Sequence, residues 1–307
     1  MQTILGSSGV IGKEVARELY KSYTKDIRLV SRNPKPVNPT DQLLKADLLN
    51  AGQVMEAVKG SEVVYLTAGI QYSAKIWAEQ WPVIMRNVVD ACIAHKAKLV
   101  FFDNVYSYGK VDGIMTEETP YNPCSKKGTV RLSIINMMMD EVKKGNLAGL
   151  IARAPDFYGP DTPLSFINVT VFDNLSKGKK AQVMVTDAKK HSLIFTPDAG
   201  KATAILGNTP SAFNQVWHLP TDKNILTLKE FVHLAEDAFG AKQGRTIIPK
   251  WLLKVIGLFN PIIKESLEML YQNEVDYIFD SSKFEKAFSF KPTSYLEGIK
   301  ETAKSYK

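Results

Sequence analysis

Cysteine is scarce in this chain, which has two cysteines, Cys92 and Cys124, among 307 residues. Two cysteines provide neither a disulfide framework nor the close spacing of a metal site, so they favour a reducing cytoplasm. Long apolar runs are also missing, because none reaches the roughly 18 residues that a membrane span needs. The chain opens on a strand-like run at Ile4-Leu5 instead of a signal peptide. We therefore expect a cytoplasmic protein with no metal and no membrane partner.

Positive charge is not concentrated in any long segment. The formal net charge is +7, but the lysines are scattered, and short clusters such as 177–180 lie in turn-like sequence. This distribution argues against nucleic acid and suits an anionic cofactor or an anionic small-molecule substrate. A composition with 45% hydrophobic and 23% charged residues is typical of a globular protein with a large core, which excludes extensive disorder.

A glycine-rich segment stands near the start of the chain, between the first apolar run and a helical pattern. It reads Gly6-Ser7-Ser8-Gly9-Val10-Ile11-Gly12. A strand that enters a helix through so tight a turn directs backbone N–H groups and the positive end of the helix dipole at a pyrophosphate. Gly6 would supply the turn, Gly9 the space for phosphate, and Gly12 the close helix packing. The segment predicts dinucleotide binding, with a purely structural loop as the alternative.

Apolar strands alternate with helical patterns along the chain. Strands are predicted at 26–30, 62–66, 98–103, 147–153 and 215–220, and an amphipathic helix at 76–95. Such alternation predicts an α/β fold with a doubly wound parallel sheet of the Rossmann type. Its ligand crevice lies at the carboxyl ends of the strands, so the residues that follow each strand are the candidate site.

The end of the second predicted strand bears on the choice of cofactor. An acidic residue there would accept hydrogen bonds from a free ribose 2′-hydroxyl and repel a 2′-phosphate, but Ser31 and Arg32 occupy the place. A hydroxyl and a guanidinium suit phosphate, which favours NADP(H) over NAD(H) unless Arg32 is simply a solvated loop residue.

Asp47, followed by Leu48, can accept a hydrogen bond from the adenine amino group or cap the next helix. The other expected cofactor contacts are Ser8, Val10, Ile11, Ala68, Gly69, Pro155 and Phe157.

The motifs and their order resemble the extended short-chain dehydrogenase/reductase superfamily, especially its NAD-dependent epimerase/dehydratase branch. The resemblance covers nearly the whole chain and rests on the glycine segment, on Asn-Val-Tyr-Ser-Tyr-Gly at 104–109, on 153–160, and on Thr-Pro-Asp at 196–198. It implies a monomer or homodimer with a Rossmann domain and a smaller α+β substrate domain. The Rossmann domain would span 1–162 and be completed by 192–215, and the substrate domain would comprise 163–191 and 216–307.

The positions that carry catalysis in that superfamily are changed in this chain. The superfamily has a hydroxyl residue after the fourth strand and a Tyr-x-x-x-Lys pair on the next helix, and the aligned residues here are Asn104, Lys127 and Arg131. Lys127 and Arg131 would share a helix face. Arg131 can then donate to the cofactor ribose and, by like-charge proximity, favour a neutral Lys127 amine that serves as general acid or base. The alternative is that Lys127 is a surface lysine without chemistry.

The sequence gives weaker signals for the part of the site that binds the substrate. Tyr106, Asp156, Tyr158 and His191 are the candidate substrate contacts, and Tyr106, Tyr121 or Tyr158 can supply a proton in place of Lys127. Two functions follow. One is an NAD(P)-dependent reductase or epimerase-like enzyme with a non-tyrosine acid/base, acting on a nucleotide sugar or small carbonyl compound. The other is a non-catalytic NADP(H)-binding sensor or scaffold.

Overall fold

The computed structural model describes residues 1–240 and 242–306. In chain order the strands are β1 Gln2–Leu5, β2 Ile27–Ser31, β3 Gln42–Lys45, β4 Val63–Leu66, β5 Lys98–Asn104, β6 Ile114–Met115, β7 Gly149–Ala154, β8 Asp156–Tyr158, β9 Ala181–Met184, β10 Leu193–Phe195, β11 Val216–His218, β12 Arg245–Ile248 and β13 Ile278–Phe279.

The α-helices are α1 Val10–Ser22, α2 Ala51–Val58, α3 Ala74–His95, α4 Lys126–Lys143, α5 Asp173–Ser176, α6 Thr196–Gly207, α7 Leu228–Phe239, α8 Lys250–Gly257, α9 Pro261–Ser266, α10 Ser282–Phe288 and α11 Tyr295–Lys304. Shorter helical turns occupy Tyr106–Tyr108, Pro210–Ala212 and Leu267–Asn273, and a π-helical segment occupies Asn168–Phe172. No helix among the described residues is long and apolar enough to cross a membrane.

The chain divides into two compact units. Unit 1 comprises Met1–Ser107, Lys126–Ala154 and Ala199–Leu219. It contains a parallel sheet of seven strands in the order β11-β7-β5-β4-β1-β2-β3. Unit 1 thus has the predicted Rossmann-type α/β fold.

Burial explains which strands of this sheet the sequence reveals. Every residue of β1, β4 and β7 is buried, as expected of parallel strands covered on both faces. The edge strand β3 has three exposed residues and one half-buried residue. Because β3 is short, polar and exposed, it lacks a clear apolar signal and was not among the predicted strands.

Helices in unit 1 pack closely, and two glycines permit the approach. Helix α3 packs between α2 and α4, so helices that follow one another in the sequence are in contact. A Cβ atom at Gly200 of α6 would lie 2.2 Å from the Cβ of Glu14 on α1, and one at Gly207 would lie 2.2 Å from the Tyr65 hydroxyl. Both glycines are therefore needed for α6 to pack this closely against α1 and Tyr65.

Unit 2 comprises Tyr108–Ser125, Pro155–Asp198 and Pro220–Lys307. It contains three two-stranded parallel ladders, β6 with β13, β8 with β10, and β9 with β12. The predicted Rossmann domain, 1–162 completed by 192–215, differs from unit 1 in its bounds. Segments 108–125, 155–162 and 192–198 belong to unit 2, and 216–219 belongs to unit 1 because β11 pairs with β7. A capping box between Thr227 and Glu230 begins α7, and the Thr227 backbone N–H and hydroxyl hold the pKa of Glu230 below its ordinary value.

Candidate functional site

The turn after β1 has a conformation that only glycine adopts readily. Gly6 has φ +93°, and a Cβ atom there would lie 2.4 Å from the Cα of Ala68. A Cβ at Gly12 would lie 2.9 Å from the Gly6 carbonyl oxygen and from the Ser7 Cα. The first and third glycines thus fix the close contact between this turn, α1 and the segment after β4.

Gly9 has a different environment from the other two glycines. It is the N-cap of α1, in extended conformation, and no side chain caps the helix. A Cβ at Gly9 would be no closer than 3.4 Å to a neighbouring atom outside its chain neighbours. The N-terminus of this 13-residue helix, with its orphan N–H groups and partial positive charge, is therefore a suitable anion-binding position.

The segment after β2 is tied to the glycine turn. Ser8 donates from its hydroxyl to the Ser31 hydroxyl at 2.7 Å and to the Asn33 carbonyl oxygen at 3.3 Å. Arg32 is exposed beside this contact, and no acidic residue occurs between Ser31 and Lys35. A positively charged side chain therefore follows β2 where an acidic residue would select a free ribose hydroxyl.

Asp47 lies after β3 and is exposed. Its carboxylate accepts from the Leu49 backbone N–H at 3.0 Å in a local turn. The cap of α2 is Asn50, whose side chain accepts from the Gln53 backbone N–H. The alternative that Asp47 caps this helix is therefore wrong, and its carboxylate remains a candidate contact for the adenine.

Asp103, on β5, forms a buried ion-pair cluster with two arginines. It is 1% exposed and accepts from Arg131 Nε at 2.7 Å on one carboxylate oxygen. The other oxygen accepts from Arg153 Nη2 at 3.0 Å and from its Nε at 3.2 Å. Arg153 is opposite Asp103 in the β5–β7 register. The cluster links α4 to the centre of the sheet.

The Arg131 guanidinium is also enclosed by aromatic rings and by backbone. Its Cζ lies 4.6 Å from the Trp81 ring centroid and 4.7 Å from that of Phe101, and Nη2 donates to the Phe102 carbonyl oxygen at 3.3 Å. The structure thus places this side chain inside unit 1, held by Asp103. Trp77 and Trp81 are themselves buried.

Lys127 lies one helical turn before Arg131 on α4 and is 0% exposed. Its Nζ lies 4.4 Å from the centroid of the Tyr72 ring, close enough for a cation–π interaction. Lysine is almost never fully buried without a specific interaction. The alternative of a surface lysine is therefore wrong.

Asn104 and Tyr106 follow Asp103 at the carboxyl end of β5. The Asn104 side-chain oxygen accepts from the Tyr106 backbone N–H at 3.0 Å, and the amide NH₂ is not used in this hydrogen bond. The Tyr106 ring stacks on Trp77 at 6.2 Å. A literal Tyr-x-x-x-Lys occurs at 106–110, but Tyr106 lies in a short 3₁₀ turn and not on an α-helix.

The other substrate candidates lie in unit 2. His191 Nε2 is 3.0 Å from an Asp156 carboxylate oxygen, and the His191 ring stacks on Tyr277 at 5.6 Å. Tyr158 is 1% exposed and lies in an aromatic cluster with Phe172 and Phe231. Burial raises the pKa of Tyr158 well above its ordinary value, so this tyrosine is a core residue and a poor proton donor. This corrects its assignment to the substrate site.

Sequence reasoning did not find two features of unit 1. The predicted strands 98–103 and 147–153 end at Asp103 and Arg153, but neither the ion pair between these residues nor a role for Tyr72 was predicted. Opposite charges inside two apolar strands are a usable signal for such a pair. The described residues contain no group of three or more histidine, cysteine or acidic side chains arranged to hold a metal.

The described carboxyl ends of β1, β2, β4 and β5 lie along one edge of the parallel sheet of unit 1. They bring together the glycine turn, Ser31, Ala68 and Asn104. Comparisons with solved structures show the same fold elsewhere.

A dTDP-glucose 4,6-dehydratase double mutant from Streptomyces venezuelae, solved with NAD bound, is 18% identical, with a TM-score of 0.81 over 100% of this chain and 96% of that one. A UDP-glucuronic acid 4-epimerase from Bacillus cereus, in complex with NAD, is 16% identical, with a TM-score of 0.81 over 100% and 98%. A UDP-glucose 4-epimerase from Thermus thermophilus, also in complex with NAD, is 17% identical, with a TM-score of 0.79 over 100% and 99%.

A comparison with curated protein sequences finds no match. A family model, described as the NAD dependent epimerase/dehydratase family, matches residues 3–215. Because the matched segment spans more than half of the 307 residues, the chain belongs to the NAD dependent epimerase/dehydratase family.

Proposed function

We propose that the protein binds NADP(H) at the edge of the unit 1 sheet and is an oxidoreductase or epimerase-like enzyme. Its proposed substrate is a nucleotide sugar or a small carbonyl compound. The observation that carries the proposal is the glycine turn, where Gly6 and Gly12 exclude a Cβ while Gly9 leaves the N-terminus of α1 open. Family membership and the NAD and nucleotide-sugar chemistry named for the similar structures support it.

The residues present fit a dinucleotide. The N-terminus of α1 would hold the pyrophosphate, Ser31 and Arg32 the ribose phosphate, and Asp47 the adenine amino group. Ala68 and Gly69, which have little or no side chain, would let the backbone after β4 lie against the cofactor. The bound nicotinamide would supply hydride transfer.

Lys127 is the proposed acid/base of the reaction. Its Nζ would hold or release the proton exchanged with the substrate oxygen, and the Asn104 amide would orient that oxygen. Arg131 is retained as a positioning residue, since its guanidinium is bonded to Asp103 and fixes the face of α4 that carries Lys127. This replaces the expected contact of Arg131 with the cofactor ribose.

A non-catalytic NADP(H)-binding protein is the second candidate. It is favoured by the commitment of Arg131 to Asp103 and Phe102, because the superfamily uses that position for the ribose and the catalytic tyrosine. The two candidates differ in turnover. We therefore propose to titrate NADPH by calorimetry and then to follow its consumption, together with epimerisation, across nucleotide sugars, aldehydes and ketones. Binding with turnover supports the enzyme, and tight binding without turnover supports the sensor.

Replacement of Arg32 by alanine should weaken NADPH binding much more than NADH binding. Loss of one charge-assisted contact with the 2′-phosphate should cost roughly 1.5–3 kcal/mol, about one to two decades in affinity. Calorimetric titration with each cofactor measures the difference. Arg17→Ala removes an exposed arginine of α1 and serves as the control. Equal losses for NADPH and NADH in Arg32→Ala would contradict the assignment.

Replacement of Gly9 by aspartate should weaken binding of both cofactors without harming the fold. Aspartate is a good N-cap and Gly9 has an extended backbone, so α1 should be stabilised. Its carboxylate, however, would repel the pyrophosphate, and we expect about tenfold weaker binding than in the isosteric, neutral Gly9→Asn control. Equal affinities of the Asp and Asn variants would remove the N-terminus of α1 from the site.

A further inference from the structure

The α8–α9 hairpin of unit 2 carries a continuous apolar stripe on its exposed side. The stripe consists of Trp251, Val255, Leu258, Phe259 and Ile262, which are 65%, 46%, 78%, 86% and 71% exposed. Trp251 and Val255 are four residues apart on α8 and so share a helix face, and Leu258 is the C-cap of that helix. Phe259 follows in the turn, and Ile262 lies on α9. The most exposed members, Leu258 and Phe259, lie where α8 ends and the chain turns into α9.

The opposite side of the hairpin accounts for its packing. Leu253 is 1% exposed and forms a small core with Met184 and Leu270, against which Ile263 and Leu267 pack. The hairpin is therefore held in unit 2 through its inner side chains. Among the described residues, no member of the stripe belongs to that core, so the apolar character of the stripe needs another explanation.

Lysines accompany the stripe. Lys254 and Lys264 are exposed, and within the described part of the chain neither forms an ion pair. Lys250 is exposed and pairs with Glu274. Glu265, on α9, is half-buried. The exposed charges beside the stripe are thus predominantly positive.

We propose that the α8–α9 hairpin docks the protein on the surface of an anionic lipid bilayer. Exposed tryptophan, phenylalanine and leucine along a helical hairpin, with lysines beside them, match the composition of segments that lie in the bilayer interface. The sequence-based expectation of no membrane partner considered spanning segments only, and a hairpin with helices of 8 and 6 residues lies on a bilayer without spanning it.

A second protein is the less suitable occupant of this stripe. A standard interface buries about 800 Å² on each partner, whereas a large aromatic side chain offers roughly 150–250 Å². Five partly exposed side chains along one narrow stripe supply less than a standard interface. Lipid acyl chains need no matching surface, and anionic headgroups complement the lysines.

The test is co-sedimentation of the full chain with vesicles of phosphatidylcholine, with and without phosphatidylglycerol. Trp251 provides a second readout, because the chain has four tryptophans and the other three, Trp77, Trp81 and Trp217, are buried. We expect binding to anionic vesicles that weakens with salt, and a blue shift of tryptophan emission that reports entry of Trp251 into the interface.

Variants identify the hairpin as the binding element. Leu258→Ser and Phe259→Ser should each lower the partition coefficient about tenfold or more, and Lys254→Gln or Lys264→Gln about fivefold. Leu43→Ser, at an exposed leucine of β3 in unit 1, is the control and should bind like the unmodified chain. NADPH affinity should be unchanged in every hairpin variant, which separates this proposal from the proposed function.

Three outcomes would overturn the proposal. The first is absence of binding to anionic vesicles, and the second is binding that persists in Leu258→Ser and Phe259→Ser. The third is concentration-dependent self-association of the unmodified chain, without vesicle binding, that these two variants abolish. This last result would assign the stripe to a second copy of the chain.

Discussion

Replacement of Lys127 by methionine is expected to lower turnover about 10²- to 10⁴-fold, the usual contribution of general acid–base catalysis. Methionine keeps much of the length of the buried side chain and its contact with the Tyr72 ring, but it has no proton to exchange. The proposed cofactor contacts lie on other elements, so NADPH affinity should remain within a few-fold. Steady-state kinetics on the substrate found by screening measures the first effect, and calorimetry measures the second.

The neighbouring lysine provides the matched control. Lys126 precedes Lys127 on α4 and is exposed, so Lys126→Met removes the same group one position away. Its turnover should be nearly that of the unmodified chain. Full activity of Lys127→Met would exclude the lysine mechanism and transfer the assignment to Tyr106 or Tyr121, whose phenylalanine variants would then be the next measurement.

The pH profile distinguishes a proton carrier from a structural lysine. If Lys127 is the acid/base, Lys127→Tyr should retain part of the activity with a displaced pH optimum, because tyrosine is the residue of the superfamily at this position. A lysine that only fills space would give a lower rate with an unchanged profile.

The sheet of unit 1 was predictable where its strands are buried on both faces. The runs at 63–66 and 149–154 consist almost entirely of apolar side chains, so the sequence identifies them as strands without help from tertiary contacts. Strand β3 has no such run. Its place is set by pairing with β2, through register such as Leu29 with Leu43, and pairing of that kind has no local signal.

The candidate site was predictable only where a residue's role depends on neighbours that are close in the sequence. Gly6 and Gly12 serve contacts within the first turn and with Ala68, and Gly9 leaves the N-terminus of α1 open, so the spacing of the three glycines is informative. The role of Arg131 depends instead on which residue its guanidinium reaches across the fold. Spacing places it one turn from Lys127, but only the three-dimensional arrangement of α4 over β5 gives it Asp103 as a partner.

Tyr158 is a second residue whose position in the sequence does not reveal its surroundings in the fold. An aromatic residue just after a strand end suits a substrate pocket as well as a core. Its neighbours Phe172, Phe195 and Phe231 come from distant parts of the chain. No local pattern could therefore assign Tyr158 to the core of unit 2.

Replacement of Asp103 by asparagine is expected to lower the free energy of unfolding by about 3–5 kcal/mol, the cost of breaking a buried ion pair from one side. Asparagine keeps the shape but removes the negative charge that faces Arg131 and Arg153, which are 4% and 0% exposed. Two guanidinium groups would then lie in the interior without a compensating carboxylate. Urea unfolding followed by circular dichroism should show a lower midpoint, with little change in the slope.

An exposed ion pair on α4, the helix that carries Arg131, supplies the control for this measurement. Asp140 lies 3.9 Å from Lys143, and both side chains are more than half exposed, so Asp140→Asn should cost no more than about 1 kcal/mol. A triple variant, Asp103→Leu with Arg131→Met and Arg153→Met, removes all three charges together and should recover much of the stability lost in Asp103→Asn. Equal midpoints for Asp103→Asn and Asp140→Asn would show that Asp103 does not stabilise the two buried arginines. The proposal that Asp103 holds Arg131 and so positions Lys127 would then be contradicted.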